Sequence, residues 1–237
     1  MQWAVIFEPA TLQLYFKGLW STFAMLAGLL LAGGIAGVVF ALMLVSRSWA
    51  LQRIASTFTY FVRGTPLLIQ IYLIYFGIAQ LQWVQALWDT VWPLTHFKNP
   101  LFCAMLAFSI NHAGYLAEIL AGAIRDTSRG EVEAAYAMGM GRWQVMRRIV
   151  LPSAMRRALP PYSNEVMQMM HGTSLASSVP GLFELTSAAS KVNRDYYLTF
   201  EAYLFAAALY LVVTFTMMGL FRLAEKRYTA YLQPHSH

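Results

Sequence analysis

Between Gly18 and Ser46 the chain runs for 29 residues without one Asp, Glu, Lys or Arg. The hydrocarbon core of a bilayer is about 30 Å thick and is crossed by roughly 20 apolar residues of helix. The stretch is too long for a signal-peptide core, and Glu8 and Lys17 are the only charges before it, so no cleavable leader is expected. In lipid the backbone must satisfy its own N–H and C=O groups, which leaves a helix or a closed barrel. No alternating ten-residue pattern accompanies the run, and that removes the barrel. An all-α integral membrane protein is therefore predicted. Its charged fraction, 12%, is about half that of a soluble domain.

Apolar stretches predict five spans, at about 18–46, 54–81, 99–124, 158–182 and 202–221, within one domain covering residues 1–237. Basic residues set their direction. Arg47, Arg53 and Arg63 follow the first span, seven arginines fill the segment 125–157, and Arg222, Lys226 and Arg227 follow the fifth. Thirteen of seventeen basic residues then fall on one side, against Lys17, Lys98, Lys191 and Arg194 on the other. The positive-inside rule puts the C-terminus in the cytoplasm and the N-terminus outside. Trp83, Trp88 and Trp92 fall in the outer loop, as interfacial aromatics do. The net charge of +6 is thus a topology signal, and nucleic acid is not an expected partner. Gly64-Thr65-Pro66 interrupts the second span just after Arg63; proline disfavours helix for the residue before it, so a kink is expected there. Cys103 is the only cysteine and has no intramolecular partner.

The segment 125–157 carries seven arginines and three acids (Asp126, Glu131, Glu133), and each would cost about 3 kcal/mol in hydrocarbon. It is therefore a cytoplasmic excursion. Ser128 and Glu131 have capping-box spacing and predict a short helix from Arg129. Glu133, Ala134 and Ala135 fall in a slim turn of it, and Gly139 can end it in a left-handed conformation.

Within that segment Glu133-Ala134-Ala135-x3-Gly139-x9-Ile149-x-Leu151-Pro152 resembles the signature loop of membrane subunits of bacterial ATP-binding cassette (ABC) importers. Three further motifs resemble polar amino acid permeases of that class: Arg63-Gly64-Thr65-Pro66-Leu67-Leu68-Ile69-Gln70, Asn111 to Glu118 with Gly122 to Arg125, and Tyr162 to Val166 with Thr173 to Ala176. The likeness covers nearly the whole chain and is closest to permeases of histidine, lysine, arginine and ornithine systems. His171 departs from it, standing where many relatives carry lysine.

The resemblance implies the type I importer permease fold, with five transmembrane helices and a cytoplasmic coupling helix, in the bacterial inner membrane, the N-terminus periplasmic. It implies uptake of polar, in particular basic, amino acids by alternating access. Expected partners are a cytoplasmic ABC ATPase dimer, a second permease subunit (a sister chain or a second copy) and a periplasmic amino-acid-binding protein. No Gly-x4-Gly-Lys-Ser/Thr loop is present, so ATP and Mg belong to the partner ATPase and this chain is not itself an enzyme. Glu133, Ala134, Ala135 and Gly139 are the expected ATPase-coupling residues.

Two carboxylates, Glu118 and Glu165, fall inside predicted spans, where acids usually face a bundle interior or an aqueous path. Glu118 lies seven residues from Arg125 and Glu165 eight from Arg157, so each is expected about 10–12 Å in, in one layer. Asn111, Tyr115 and Glu118 share one face of the third span with Gly122, and Asn164, Gln168 and His171 mark a stripe on the fourth. These stripes are read as lining a substrate path, with the acids attracting a cationic group. The alternative is that each Glu bonds a neighbouring helix or pairs with Arg63, holding the bundle together. His112, alone mid-span, is read as a packed hydrogen-bonding residue. Gly28, Gly33, Gly34 and Gly37 offer a small-residue packing face on the first span. No His/Cys/Asp cluster has metal spacing, and His235 and His237 lie in the C-terminal tail. An odd span count disfavours the inverted repeats of secondary transporters, and neither His-Glu-x-x-His nor Gly-x-Ser-x-Gly supports an intramembrane enzyme.

Overall fold

In the computed structural model, residues 3–88 and 90–228 are described, and all regular structure among them is helical. A short α1 (Trp3–Ile6) precedes α2 (Pro9–Leu44), a single helix of 36 residues. Then come α3 (Trp49–Arg63) and α4 (Leu67–Tyr72), the latter running on through a π turn at Leu73–Gly77 and a 3-10 turn at Ile78–Gln80. Two short helices, α5 (Gln82–Leu87) and α6 (Trp92–Thr95), and a 3-10 turn at His96–Lys98 lead to α7 (Pro100–Arg125). The charged loop holds α8 (Arg129–Ala137) and α9 (Arg142–Val145), and a π turn at Met146–Val150 joins it to α10 (Leu151–Gly172). A 3-10 turn at Thr173–Ser178, α11 (Leu185–Tyr196) and α12 (Thr199–Tyr228) complete the chain.

By length and composition α2, α7 and α12 can each cross a membrane. Their roles differ. α7 is the hub: Ala104, Ala107, Ala113, Ala117 and Ala121 are buried along it, and these small side chains let α2, α3, α4 and α10 close around it. α2 comes nearest. A Cβ on Gly33 would stand 2.6 Å from the Ser109 carbonyl oxygen, and one on Gly37 would stand 3.0 Å from Leu116. Gly34 faces the other way and meets nothing within 4 Å, so it does not share the packing face expected of the four glycines. α12 keeps Leu211, Val212, Phe215, Leu220 and Leu223 exposed, an apolar belt in keeping with a lipid surround.

A second cluster joins the N-terminal part of α2 to α11 and α12 through Tyr15, Leu185, Ala188, Val192 and Ala202. Its polar anchor is Glu184. This wholly buried side chain caps α11, taking the Thr186 and Ser187 amides at 2.7 Å each and the Tyr210 hydroxyl at 2.9 Å.

Several boundaries differ from those read in the sequence. The helix of the first predicted span, α2, starts at Pro9, because Lys17 extends along the surface toward the Phe183 ring, 5.7 Å away, and need not end the helix. α10 starts at Leu151 and carries Pro160 and Pro161 inside it. α11 was not expected at all. Its Ser, Lys, Asn and Arg leave no apolar run, and only its buried stripe marks it as a helix. α8 does begin at Arg129, but Ser128 makes no side-chain cap bond, so the capping box is absent. Trp83 and Trp92 are exposed on α5 and α6. His235 and His237 lie outside the described residues.

The contrast between two adjacent glycines gives a direct check on the α2–α7 contact. Gly33→Ala is expected to destabilise the purified protein by about 1–3 kcal/mol through overpacking, whereas Gly34→Ala is neutral or slightly stabilising. Thermal unfolding in detergent reads both, and equal melting temperatures for the two variants count against this packing.

Candidate functional site

The kink expected after Arg63 is present as a break in the backbone between α3 and α4. Pro66 has no N–H to offer the Val62 carbonyl, four residues back. The Gln70 side-chain amide supplies the missing donor, reaching the Val62 oxygen at 2.7 Å, Thr65 Oγ1 at 2.8 Å and the Thr65 carbonyl at 3.1 Å. Its own oxygen accepts from Asn111 Nδ2 on α7 at 3.1 Å. One buried glutamine therefore closes the break and ties it to the hub helix. Non-helical backbone at membrane depth is tolerated where it is buried in protein or lines a cavity.

Here the break borders a cavity. Arg63 from the end of α3, Gly64, Thr65 and Pro66 from the break, Leu67 from α4, Asn111 and Tyr115 from α7 and Gln168 and Met169 from α10 line a cleft of about 410 Å³. Three residues of the expected path, Asn111, Tyr115 and Gln168, thus meet in one place. The Arg63 guanidinium lies over the Tyr115 ring at 5.4 Å, which adds a cation to the lining. One helical turn along the same seam, Thr59 Oγ1 donates to Glu118 Oε1 at 2.7 Å. Tyr115 and Glu118 are three residues apart on α7, and Arg63 and Thr59 four apart on α3, so the two contacts stack like rungs about 5 Å apart.

Glu165 is elsewhere. Its side chain is buried and accepts from His112 Nδ1 at 3.2 Å. Among the described residues His112 Nε2 has no partner, so a neutral ring protonated at Nδ1 leaves no orphaned N–H. His112 and Glu118 are six residues apart, about 9 Å along α7, and they address different helices. The two carboxylates therefore have different partners, Thr59 of α3 for Glu118 and His112 of α7 for Glu165. Further back on α10, the Arg157 guanidinium reaches one turn toward the helix start, to Ser153 Oγ and the Asp126 carbonyl. Asn164 and His171 are exposed on α10, and His171 Nε2 lies 2.9 Å from Thr214 Oγ1 of α12. Neither lines the cleft.

In the charged loop, α8 ends as the sequence led us to expect. Gly139 takes φ +81°, its amide bonds the Tyr136 carbonyl at 2.9 Å, and the Met140 amide bonds the Ala135 carbonyl at 3.1 Å, the paired bonds of a Schellman cap. Glu133 and Ala134 are exposed, whereas Ala135 is turned inward against Val145 and Val150 and offers no outer surface. Tyr136, Met138 and Trp143 are exposed large apolar side chains beside them. The result is a compact knob with an apolar outer face. Among the described residues no His/Cys/Asp/Glu group has the arrangement of a metal site.

The two residues most poorly foreseen are Gln70 and Arg63. Gln70 lies one helical turn beyond Pro66, and that spacing is the signal that could have assigned it to the orphaned carbonyl.

A family model described as a binding-protein-dependent transport system inner membrane component matches residues 18–230. The chain is 42% identical over 230 residues to the octopine transport system permease protein OccM of Rhizobium radiobacter, covering 92% of this chain and 89% of that protein. It is 39% identical over 223 residues to the histidine/lysine/arginine/ornithine transport system permease protein HisM of Escherichia coli strain K12, covering 93% and 91%. Among solved structures, an amino acid ABC transporter crystallised with histidines superposes with a TM-score of 0.77 at 30% identity, over 91% of this chain and 94% of that one.

The buried pair is testable without any cargo. His112→Leu leaves the Glu165 carboxylate without its hydrogen-bond donor and is expected to cost about 1.5–3 kcal/mol, while His112→Leu combined with Glu165→Leu recovers much of that loss. Melting temperatures of the three proteins in one detergent decide it. A single variant no less stable than the double one rules out the pairing.

Proposed function

The chain belongs to the binding-protein-dependent transport system inner membrane component family, as a permease subunit of an ABC amino acid importer with the type I permease fold, and on that premise we propose that it carries amino acids with basic side chains through the cleft at the α3–α4 break. The observation that carries this reading is the stacking of opposite charges along one seam: Arg63 in the cleft and Glu118 one turn away. An amino acid offers a carboxylate at one end and, when basic, a cation at the other. Arg63 can take the carboxylate by charge-assisted hydrogen bonds, Glu118 the cationic end, and Asn111, Tyr115 and Gln168 the polar atoms between them. Asn164 and His171 continue the polar stripe beyond the cleft. Glu165, held by His112, acts from behind this lining. The names of the relatives that match support basic cargo and its opine derivatives.

The same reading assigns five membrane crossings, with α3–α4 and α10 joining α2, α7 and α12, the N-terminus in the periplasm and the C-terminus in the cytoplasm. It places the α8 knob, with Glu133, Ala134 and Gly139 at its surface and Ala135 in its base, against a cytoplasmic ATPase that binds ATP and Mg. A second permease subunit and a periplasmic binding protein complete the importer. A knob ended by a Schellman cap and footed by Ala135, Val145 and Val150 is rigid enough to transmit the ATPase's motion to α10.

Two experiments address the two halves of this proposal. Arg63→Gln removes a charged hydrogen-bond donor worth about 1.5–3 kcal/mol, so KM for arginine uptake in proteoliposomes is expected to rise at least about tenfold. Complex yield and basal ATP hydrolysis should stay at the parent level; an unchanged KM would sink the cleft assignment. Gly139→Val forces a β-branched side chain into φ +81° and is expected to abolish ATP-driven uptake while membrane insertion persists. Full uptake by that variant, with normal recovery of the ATPase, removes the knob from coupling.

A further inference from the structure

At the far end of the α3–α7 seam from the cleft is a second polar cavity, of about 650 Å³, that nothing in the transport reading uses. It forms where the end of α2, the start of α3 and the end of α7 meet. Leu44, Val45 and Ile124 make its floor, and Trp49, Gln52, Arg53, Ser56 and Arg125 its walls. Among the described residues no carboxylate lines it, and each guanidinium group has a contact within the chain. Arg53 lies over the Trp49 ring at 5.6 Å, and Arg125 donates to the Leu44 carbonyl at 3.0 Å. Gln52 is fixed by a bond from its amide nitrogen to the Ser46 carbonyl. The charge of the walls makes the cavity a poor stop for a cationic cargo and a good one for an anion.

Its position says which anion. The cavity lies at the charged ends of apolar helices, the depth of lipid headgroups, and Trp49, largely exposed, is a typical side chain of that layer. Ile54, beside Arg53 on α3, is exposed, as are Phe61 two turns further along and Val38, Val39 and Leu42 on α2. A ligand with a phosphate at one end and hydrocarbon at the other satisfies both surfaces at once. We propose that this cavity binds the headgroup of an anionic glycerophospholipid, with Arg53 and Arg125 on the phosphate and the acyl chains lying along the exposed faces of α2 and α3. Basic pockets between transmembrane helices hold such headgroups by these forces. The bound lipid bridges the α2–α3 turn to the end of α7 and braces the seam at whose other end the cleft opens. The site holds whatever the cargo is.

The test uses the full-length chain purified with its co-expressed subunits in a neutral detergent. Native mass spectrometry and thermal unfolding are read during titration with dioleoyl phosphatidylglycerol, dioleoyl phosphatidylcholine or inorganic phosphate. Saturable binding of phosphatidylglycerol with a rise in melting temperature is expected, with weaker binding of phosphatidylcholine and no effect of phosphate at the same concentration. Arg53→Gln, at an exposed position, should weaken phosphatidylglycerol binding at least about fivefold. Arg47→Gln, at the same boundary but outside the cavity lining, should leave it unchanged. Equal binding of the two lipids, equal loss in the two variants, or displacement of phosphatidylglycerol by inorganic phosphate at matched concentration would each overturn the proposal.

Discussion

An amide hydrogen bond that proline cannot make organises this protein. Pro66 leaves the carbonyl of the buried residue Val62 without its helical partner, and a buried polar group left unmet costs several kcal/mol. Gln70 meets it at 2.7 Å and in doing so takes up Asn111 of α7. Once the two ends of the break are clamped, the backbone at Gly64–Pro66 is free to face a cavity. Arg63 and Tyr115 then stand at its mouth because the same clamp sets the register of α3 against α7.

That register depends in turn on how closely helices approach α7. Alanines along its length and Gly33 and Gly37 on α2 leave the backbones almost in contact. Small residues give up side-chain burial, and in lipid that loss is minor, because neighbouring acyl chains are as apolar as leucine. What close approach provides is dispersion contact and fixed geometry. His112 and Glu165 meet inside this tight region, 3.2 Å apart. An acid in such a place pulls two helices together, whereas an acid beside a cleft remains available to a ligand. Glu165 and Glu118 fall on opposite sides of that division.

Much of the design was legible in the chain. The uncharged run Gly18–Ser46, the cluster of arginines in 125–157 and the spacing around Gly139 led to a helical membrane protein with a protruding loop, and the φ of +81° at Gly139 is what that residue type allows. The break at Pro66 was also readable, since the missing N–H is a property of the residue itself. α11 was hidden because its burial comes from contacts with α2 and α12, not from its composition. The partners of Glu118 and Glu165 were hidden too, because each is bonded across helices, to Thr59 of α3 and to His112 of α7.

By itself, then, the sequence determined the class, an all-helical membrane protein, and the motifs of the loop, because charge, hydropathy and backbone chemistry act locally and add along the chain. Only the tertiary structure decided which polar residues face a cavity and which face each other. Asn111, Tyr115 and Glu118 share one helical face, yet one is bonded to Gln70, one lies under Arg63 and one is held by Thr59. Those partners come from α3 and α4, some forty to sixty residues away in the chain. No local pattern carries that pairing. It is set by helix register, and register is set by where glycine and alanine let the helices touch.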